Sequence, residues 1–410
     1  MGEQTASKVP QIRFKGFEGA WEEDQLGERV EFFSGLTYSP RSVQKGVGTL
    51  VLRSSNVKNG EIVDADNVYV DPSIVNSKNV EVGDIAVVVR NGSRSLIGKH
   101  AQIKQRMDST VIGAFMTGIH SEVPAFTNAL LDTPQFDKEI AKNLGATINQ
   151  ITTGAFKQMM FRFPHDTEQE QVGEYFRELD SLMRLHQRKH EKLVTLKKSM
   201  LQKMFPQPGA TTPEVRFKGF TGKWMAKKVY EICDGTYGGG TPRTSERKFW
   251  EGTIPWIQSS DIIDGEIYNV VPRKRISDLA LRKSPAKLVP ANSVAIVTRV
   301  GVGKLALIEF DYAASQDFLS LSKLKLDQSF AAASLSVLLQ SKLHETQGTS
   351  IKGITKDELL AYTLVVPCAI DEQRKIGSYF RTLDALISQH ATQLQKFQQI
   401  KSACLERMFV

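Results

Sequence analysis

A long helical segment occurs twice in this chain. The first copy runs from Glu168 to Phe205 and the second from Asp371 to Phe409, and a shift of 204 positions aligns them. Identical residues at this shift include Gln169 and Gln373, Gly173 and Gly377, Tyr175 and Tyr379, Phe176 and Phe380, Arg177 and Arg381, Leu179 and Leu383, Asp180 and Asp384, and His186 and His390. So many identities at one shift indicate an internal duplication, around which the rest of the chain must be organised.

The first copy has the seven-residue period of a helix with a narrow coiled-coil seam. One seam column holds Val172, Leu179, His186, Leu193 and Met200, and the other holds Tyr175, Leu182, Lys189, Leu196 and Lys203. At ~1.5 Å per residue the helix is roughly 57 Å long, which is typical of a rod rather than a core helix. If the two rods pack antiparallel, His186 and His390 should lie close together. We interpret them as a polar break that fixes the register of the seam, in preference to a pH switch.

A short motif precedes each globular region and is also repeated. Arg13–Phe17 reads RFKGF and is followed by Gly19 and Trp21, and the same motif begins again at Arg216. The predicted organisation is therefore residues 1–21 as tail and motif, 22–163 as a first globular domain, 164–205 as a long helix, 206–224 as linker and second motif, 225–367 as a second globular domain, and 368–410 as a second long helix. Because the first helix leads into the second motif, we expect the second helix to end beside the first motif.

The two globular domains are predicted to be rich in β-strands and only faintly similar to each other. The sequence Leu52–Val57 aligns with Ile257–Ile262, Arg90 falls near Arg299, and Gly98-Lys99 falls near Gly303-Lys304. Predicted strands are 49–52, 68–70, 85–89 and 111–112 in the first domain and 254–257, 294–298 and 305–310 in the second, with helices at 135–144 and 330–345. The glycine-rich run Gly238–Gly240 is interpreted as a flexible loop.

Composition limits the class of protein. The 410 residues carry a net charge of +8 with a pI near 9.2, which mildly favours a polyanionic partner. Three isolated cysteines argue for a reducing compartment and against zinc. We find no signal-peptide pattern and no apolar run of membrane-spanning length, so we expect a cytoplasmic protein that does not contact membranes.

Catalytic motifs are not recognisable. Gly301–Lys304 resembles part of a phosphate loop, but Thr298 and Leu305 stand where that loop needs glycine and a hydroxyl residue. Glu246-Arg247-Lys248 has a nuclease-like spacing that is common by chance, and the histidines lack metal-ligand spacing. We therefore predict no catalytic residues and no metal site.

Two basic segments, one in each half, favour binding of nucleic acid over a merely solvated charged face. They are residues 85–107 and 271–304, in which acidic residues are nearly absent. The candidate DNA-binding residues are Arg53, Ser54, Asn56, Arg90, Arg94 and Lys99 in the first half, and Thr241, Arg243, Gln258, Ser259, Arg299, Lys304 and Gln316 in the second.

Over nearly its whole length the chain resembles the specificity subunits of type I restriction–modification enzymes. The resemblance depends on the paired RFKGF motifs, the paired Tyr-Phe-Arg-x-Leu-Asp segments at 175–180 and 379–384, the runs Gly239–Pro242 and Ile254–Ile257, and Ser315-Gln316-Asp317. It implies an α+β fold with two mixed α/β target-recognition domains, separated by two long helices that form an antiparallel coiled coil with a pseudo-twofold repeat. The first domain has Gly35–Tyr38 in place of the GGTP run, which leaves its target open.

The resemblance also implies the function and the partners. Each target-recognition domain would read one half of a split, asymmetric site in double-stranded DNA. The chain would bind two modification (methyltransferase) subunits, which methylate adenine with S-adenosylmethionine, and restriction (endonuclease) subunits that use ATP and Mg. No cofactor would be held by this chain. Two alternatives are a stand-alone DNA-binding regulator with a coiled-coil dimerisation helix, which the fused duplication disfavours, and an enzyme with an unrecognised site.

Overall fold

The computed structural model describes residues 8–144, 149–345 and 353–410. The chain divides into a first unit, Met1–Leu185 with Gln393–Val410, and a second unit, His186–Thr392. The long helices run from Asp166 to Lys203 and from Ile370 to Met408, within two residues of the predicted bounds. Each helix therefore contributes part of its length to each unit. The predicted polar tail, residues 1–8, lies outside the described residues except for Lys8.

The first unit contains two four-stranded sheets and two two-stranded sheets. Its strands are Glu22–Gln25, Glu31–Ser34, Val43–Gln44, Thr49–Leu52, Val57–Lys58, Glu61–Ile62, Val68–Val70, Ile85–Val88, His100–Gln102, Thr110–Ile112, Met116–His120 and Met160–Phe163. Its shorter α-helices are Leu26–Arg29, Pro124–Leu131, Pro134–Asn143 and Thr153–Lys157, and its 3-10 helices are Pro40–Ser42, Ser54–Asn56, Pro72–Ile74 and Arg94–Leu96.

The second unit has a four-stranded and a three-stranded sheet. Its strands are Met225–Lys228, Cys233–Gly238, Ile254–Ile257, Lys274–Ile276, Ser293–Val297, Leu305–Ile308, Ala313–Ala314, Phe318–Leu324 and Thr363–Val366. Its shorter α-helices are Arg247–Trp250, Asp278–Lys283, Gln328–Glu345 and Lys356–Ala361, and its 3-10 helices are Val229–Ile232 and Ser259–Asp261.

One sheet has the same strand order in both units. In the first unit the order is 31–34, 116–120, 85–88, 100–102, and in the second it is 233–238, 318–324, 293–297, 305–308. All neighbours in these two sheets are antiparallel. The globular domains, only faintly similar in sequence, are therefore built on one plan.

The predicted flexible loop at Gly238–Gly240 is corrected by this sheet. Residues 233–238 form a strand paired with 318–324, and Gly239 continues it by donating its N–H to the carbonyl of Phe318. A Cβ at Gly239 would lie 1.8 Å from the carbonyl oxygen of Ser315. Glycine is required here because two backbone segments pack against each other, not because the segment must bend freely.

Equivalent aromatic clusters close the cores of the two units beside the long helices. In the first unit Phe409 packs against Phe126 and Phe176, with ring centroids 5.5 and 5.8 Å apart. In the second unit Phe205 packs against Phe330 and Phe380 at 5.7 and 5.9 Å. Each unit thus buries the end of one long helix against the beginning of the other, which requires the two helix segments inside each unit to run antiparallel.

The second seam column predicted from the sequence is wrong by one position. Leu182 and Leu196 are 42% and 40% exposed, whereas Phe176, Lys197 and Met204 are buried. The column that faces inward is one residue further along, at 176, 183, 190, 197 and 204, where Met183 and His190 are half-buried and the other three are buried. The sequence pattern favoured the column that contains Leu182 and Leu196, and it could not show that Lys197 is paired, which a buried lysine requires.

That lysine is paired, and the pair is repeated. In the second unit Lys197 donates to Asp384 and to the carbonyl of Gly265. In the first unit the equivalent Lys401 donates to Asp180 at 2.8 Å and also to Asp132 at 2.7 Å. Each buried lysine therefore joins one long helix to the other and to the globular domain of its own unit.

The glycine of each long helix lies where a shorter helix packs closely. A Cβ at Gly173 would lie 2.5 Å from the backbone nitrogen of Phe126, and one at Gly377 would lie 2.7 Å from that of Phe330. The glycine that interrupts each amphipathic pattern is thus explained by the approach of the helices 124–131 and 328–345.

Each RFKGF motif attaches to the beginning of a long helix. Arg13 forms two hydrogen bonds, of 2.8 and 2.7 Å, with the buried carboxylate of Glu168. Arg216 makes the equivalent pair with Glu372, and this hydrogen bonding raises the pKa of Arg216. Bidentate arginine–carboxylate pairs are strong and directional, so they fix the motif on the helix.

The predicted closeness of the second helix end and the first motif is confirmed. The backbone N–H groups of Gln11 and Ile12 donate to the carbonyl of Arg407 at 2.9 and 3.1 Å. The rings of Trp21 and Phe409 lie 5.9 Å apart. In the second unit Val215 donates to the carbonyl of Lys203, so each motif follows a helix end in the same way.

The predicted contact between the two seam histidines is confirmed within the second unit. The Nδ1 atoms of His186 and His390 lie 2.9 Å apart, so one ring donates and the other accepts. Burial lowers the pKa of His390, and the positive charges available on His186, Lys189 and His190 lower it further.

A histidine whose pKa is lowered on folding makes stability depend on pH. Below about pH 6.5 the unfolded chain binds more protons than the folded one, so the free energy of unfolding falls as pH decreases and is constant above that value. We expect wild-type protein to lose more stability between pH 7.5 and 5.5 than the His390→Asn variant, measured by urea unfolding. Equal losses would show that this pair does not titrate as described.

Candidate nucleic-acid interface

The first element of the candidate interface is a turn that follows the strand Thr49–Leu52. Its 3-10 helix, Ser54–Asn56, is fixed by Asn56, whose Oδ1 accepts the backbone N–H of Arg53 at 2.9 Å. The Nδ2 of Asn56 donates to the carbonyls of Val63 and Ala65 and to the side chain of Asn67. Residues 53–55 of the turn are therefore supported by Asn56, which is buried and hydrogen-bonded at both ends of its amide.

The second unit contains the same turn after the strand Ile254–Ile257. The Oδ2 of buried Asp261 accepts the backbone N–H of Gln258 at 3.0 Å, and the N–H of Asp261 donates to the carbonyl of Gln258 at 2.8 Å. Gln258 and Ser259 are half-buried, as Arg53 and Ser54 are. The faint sequence match between 52–57 and 257–262 thus corresponds to a shared local structure.

The second element is an exposed arginine that follows the sheet strand 85–88 in the first unit and 293–297 in the second. The backbone N–H of Val89, which precedes exposed Arg90, donates to the carbonyl of Phe115 at 3.0 Å, and the Arg90 guanidinium lies 4.9 Å from the Phe115 ring centroid. In the second unit Thr298, which precedes exposed Arg299, donates to the carbonyl of Asp317. The predicted correspondence of Arg90 and Arg299 is confirmed by this equivalent hydrogen bonding.

The third element is a lysine at the turn between two sheet strands. The backbone N–H of Val88 donates to the carbonyl of Lys99 in the first unit, and that of Val297 donates to the carbonyl of Lys304 in the second, both at 2.8 Å. Each bond closes the turn between two neighbouring strands. Lys99 is exposed, whereas Lys304 is half-buried and its ammonium lies 3.4 Å from the carbonyl of Ile262. Each unit therefore brings a turn, an arginine and a lysine to one edge, which we call the polar edge of that unit.

The remaining candidate residues lie around these edges. Thr241 donates its hydroxyl to the side-chain oxygen of Gln316, and Gln316 is exposed. Arg243 is exposed, and its carbonyl accepts the indole N–H of Trp250. Arg94 is exposed at the start of the 3-10 helix 94–96.

One candidate residue must be corrected. Asn56 is fully buried, and both ends of its amide are used inside the protein. It supports the turn and does not reach the surface, so it does not contact bases directly. The sequence alone could not show this, because asparagine is equally common as a base-reading residue and as a turn-stabilising one.

Sequence reasoning missed two residues at these edges. Asn91 donates its side chain to the hydroxyl of Ser54 at 2.9 Å and so joins the arginine segment to the turn. Arg273 lies 3.4 Å from the Asp261 carboxylate and 3.5 Å from the carbonyl of Ser260, beside the second turn. Asn91 precedes a glycine, a dipeptide typical of turns, and its side chain could have suggested a bracing role.

The polar edges are suited to contact with phosphate and base edges. Asp261, the carboxylate closest to the second turn, is buried and is engaged by Gln258 and Arg273. Among residues 8–144, 149–345 and 353–410 no group of three His, Cys, Asp or Glu side chains is arranged to hold a metal ion. Exposed arginine, glutamine and serine side chains can donate to phosphates and read bases in the major groove.

Comparison with known families agrees with this chemistry. Residues 221–399 match the family described as the type I restriction modification DNA specificity domain. The match includes the whole polar edge of the second unit, and the first unit repeats the geometry of that edge outside the matched residues.

Two curated relatives are similar to parts of the chain. The specificity subunit of the type I restriction enzyme MjaIX from Methanocaldococcus jannaschii is 24% identical over 193 residues, which are 46% of this chain and 44% of the relative. The EcoR124I/EcoR124II specificity subunit from Escherichia coli is 31% identical over 185 residues, 42% of each chain. The matches thus span less than half the length of these relatives.

A solved structure resembles the complete fold. The S subunit of a type I restriction–modification system from M. genitalium has a TM-score of 0.70 at 12% identity, covering 98% of this chain and 99% of that one. At this identity the likeness shows the fold, including the α+β architecture with two globular domains and long helices. None of the helices within the described part of the chain combines the length and apolar character needed to span a bilayer.

Proposed function

We propose that this chain is the DNA-specificity subunit of a type I restriction–modification complex and recognises a split, asymmetric DNA site. The observation that carries the proposal is the polar edge that each unit builds from equivalent backbone positions with different side chains. A shared backbone structure that presents different side chains in each unit is suited to recognising two different half-sites. The long helices would hold the two readers apart and so determine the spacer between the half-sites.

The partners follow from the same proposal. Two modification subunits would methylate adenine with S-adenosylmethionine, and two restriction subunits would use ATP and Mg, while this chain provides sequence recognition without catalysis. Support comes from the two curated relatives, which are named as specificity subunits of type I restriction enzymes.

Selection from a randomised duplex library tests the proposal. The full chain, purified with its modification subunits, should enrich two short base sequences separated by a fixed spacer of unspecified bases. Enrichment of one continuous or palindromic site by the chain alone would instead support the coiled-coil regulator. Failure of the complex to enrich any sequence would contradict both.

Arg90 and Arg299 provide a matched pair of variants. If Arg299 reads a base, Arg299→Ala should cost about 1–3 kcal/mol of binding free energy and relax one position of one half-site. Arg90→Ala should do the same in the other half-site. A loss that is equal for all sequences, with a smaller salt dependence, would identify a phosphate contact instead. Quantitative competition with duplexes that differ at single positions measures the binding free energy and the base preference of both variants.

A further inference from the structure

The turns of the two polar edges have the same structure but present different side chains. Residue 53 in the first unit and residue 258 in the second occupy the same place, before a 3-10 helix whose buried Asn56 or Asp261 accepts their backbone N–H. The next two residues are serine in both turns. The side chain that differs is arginine in the first turn and glutamine in the second.

The arginine is held by one internal hydrogen bond. Its Nη2 donates to the carbonyl of Asp66 at 2.5 Å, and its Nε is buried. The N–H groups on Nη1 and the second N–H on Nη2 remain for other acceptors. A guanidinium edge with two parallel donors matches guanine, which presents the acceptors N7 and O6 side by side in the major groove.

The glutamine is also held by one internal hydrogen bond. Its Nε2 donates to the hydroxyl of Ser260 at 3.0 Å. One N–H and the carbonyl oxygen Oε1 remain, which is a donor beside an acceptor. This arrangement matches adenine, whose major-groove edge presents the acceptor N7 beside the donor N6.

We propose that Arg53 and Gln258 are equivalent specificity-determining residues, and that they select guanine in one half-site and adenine in the other. This inference rests on the proposed function and goes beyond it by assigning a base to each turn. Both side chains are oriented before binding, so less conformational freedom is lost when the bases are contacted. Asn91, the neighbour of Arg90, donates its side chain to Ser54 of the first turn, and the Lys304 ammonium lies 3.4 Å from the carbonyl of Ile262, which follows the second turn.

The structure predicts that the two residues can be exchanged without damage to the turns. The hydrogen bonds that close each turn use the backbone N–H and carbonyl of residues 53 and 258, and each side chain adds only one further bond. Reciprocal variants Arg53→Gln and Gln258→Arg therefore test base preference rather than folding. Gln258→Glu is a near-isosteric third variant, because a carboxylate only accepts and should prefer the N4 amino group of cytosine.

The experiment uses the full chain with its modification subunits and a duplex library randomised at both half-sites. Arg53→Gln should change one guanine to adenine in the first half-site, and Gln258→Arg should change one adenine to guanine in the second. Gln258→Glu should change that same adenine to cytosine, and Arg53→Lys should retain guanine. Discrimination at the affected position should change by about 5- to 150-fold, while the other half-site stays the same.

Two outcomes would contradict the inference and leave the proposed function unaffected. If the wild-type complex enriches a split site and the exchanged variants enrich the same bases, residues 53 and 258 do not read sequence. If binding weakens equally for all sequences, they contact phosphate. Should Arg53→Gln fail to fold, Arg53→Lys and the two variants at position 258 still decide the matter. Failure of the wild-type complex to enrich a split site would contradict the proposed function itself.

Discussion

Replacing Lys401 with methionine is expected to lower the free energy of unfolding by about 2–4 kcal/mol, since removing one partner of a buried ion pair leaves uncompensated charge. The range is set slightly below that for fully buried pairs because Asp132 and Asp180 retain 29% and 23% side-chain exposure. Burial opposes the charge on Lys401, but Asp132 and Asp180 raise its pKa. Methionine keeps the apolar stem and removes only the charge.

The direction in which Lys401→Met changes the stability of the protein toward acid can also be predicted. Burial alone would raise the pKa of Asp132, yet His100 and Lys401 lower it to about 2. A carboxylate with a lowered pKa stabilises the folded state above the ordinary value of 3.8 and loses that contribution as pH falls toward 2. Without Lys401 this contribution should become smaller, because one of the two side chains that lower the pKa of Asp132 is gone.

Urea unfolding at pH 7 measures the effect, with Lys396→Met as the control. Lys396 is an exposed lysine on the same helix, and its replacement should change stability by less than about 0.5 kcal/mol. Adding Asp180→Asn to Lys401→Met should recover part of the loss, because one of the two stranded charges is then removed. Equal stability of the Lys401 and Lys396 variants would contradict the assigned role of this junction.

Lengthening both long helices by one heptad is expected to lengthen the spacer of the recognised site and leave both half-sites unchanged. Seven residues add ~10.5 Å to a helix, which corresponds to roughly 3 base pairs at ~3.4 Å each. The insertions belong after Arg188 in the first helix and after Ile387 in the second, close to the His186–His390 contact, so that the seam remains in register. Library selection with the full complex reads out the spacer directly.

The matched control is the same heptad placed in the first helix alone. It shifts every later contact of that helix, including Lys197 with Asp384, and should abolish selective binding. A double insertion that keeps the original spacer, or that changes the bases of either half-site, would show that the helices do not determine the separation.

The repeat made much of the fold predictable from the sequence. A shift of 204 located both long helices and a shift of 203 located both RFKGF motifs. The closeness of Arg407 to Gln11 followed, because duplicated segments must make equivalent contacts. The buried seam column was not predictable from hydrophobicity, since the burial of Lys197 depends on Asp384 from a segment almost 190 positions away. Sequence spacing cannot show which distant carboxylate neutralises a lysine.

The candidate site was predictable in position and less so in detail. The basic segments and the faint match of 52–57 with 257–262 pointed to the turns that form the polar edges. They could not show that Asn56 turns inward while Arg53 stays at the surface, since this depends on the carbonyls of the facing segment 63–67. They also could not show that Asn91 braces Ser54, a contact between loops 37 positions apart.

Mapping of methyladenine in host DNA tests the central claim most directly. The chain is co-expressed with its cognate modification subunit in a host without other adenine methylation, beside a culture that lacks the chain. The account predicts methylation at one split, asymmetric motif, present only when the chain is present. No methylation with the cognate subunit, or an identical pattern without the chain, would contradict it.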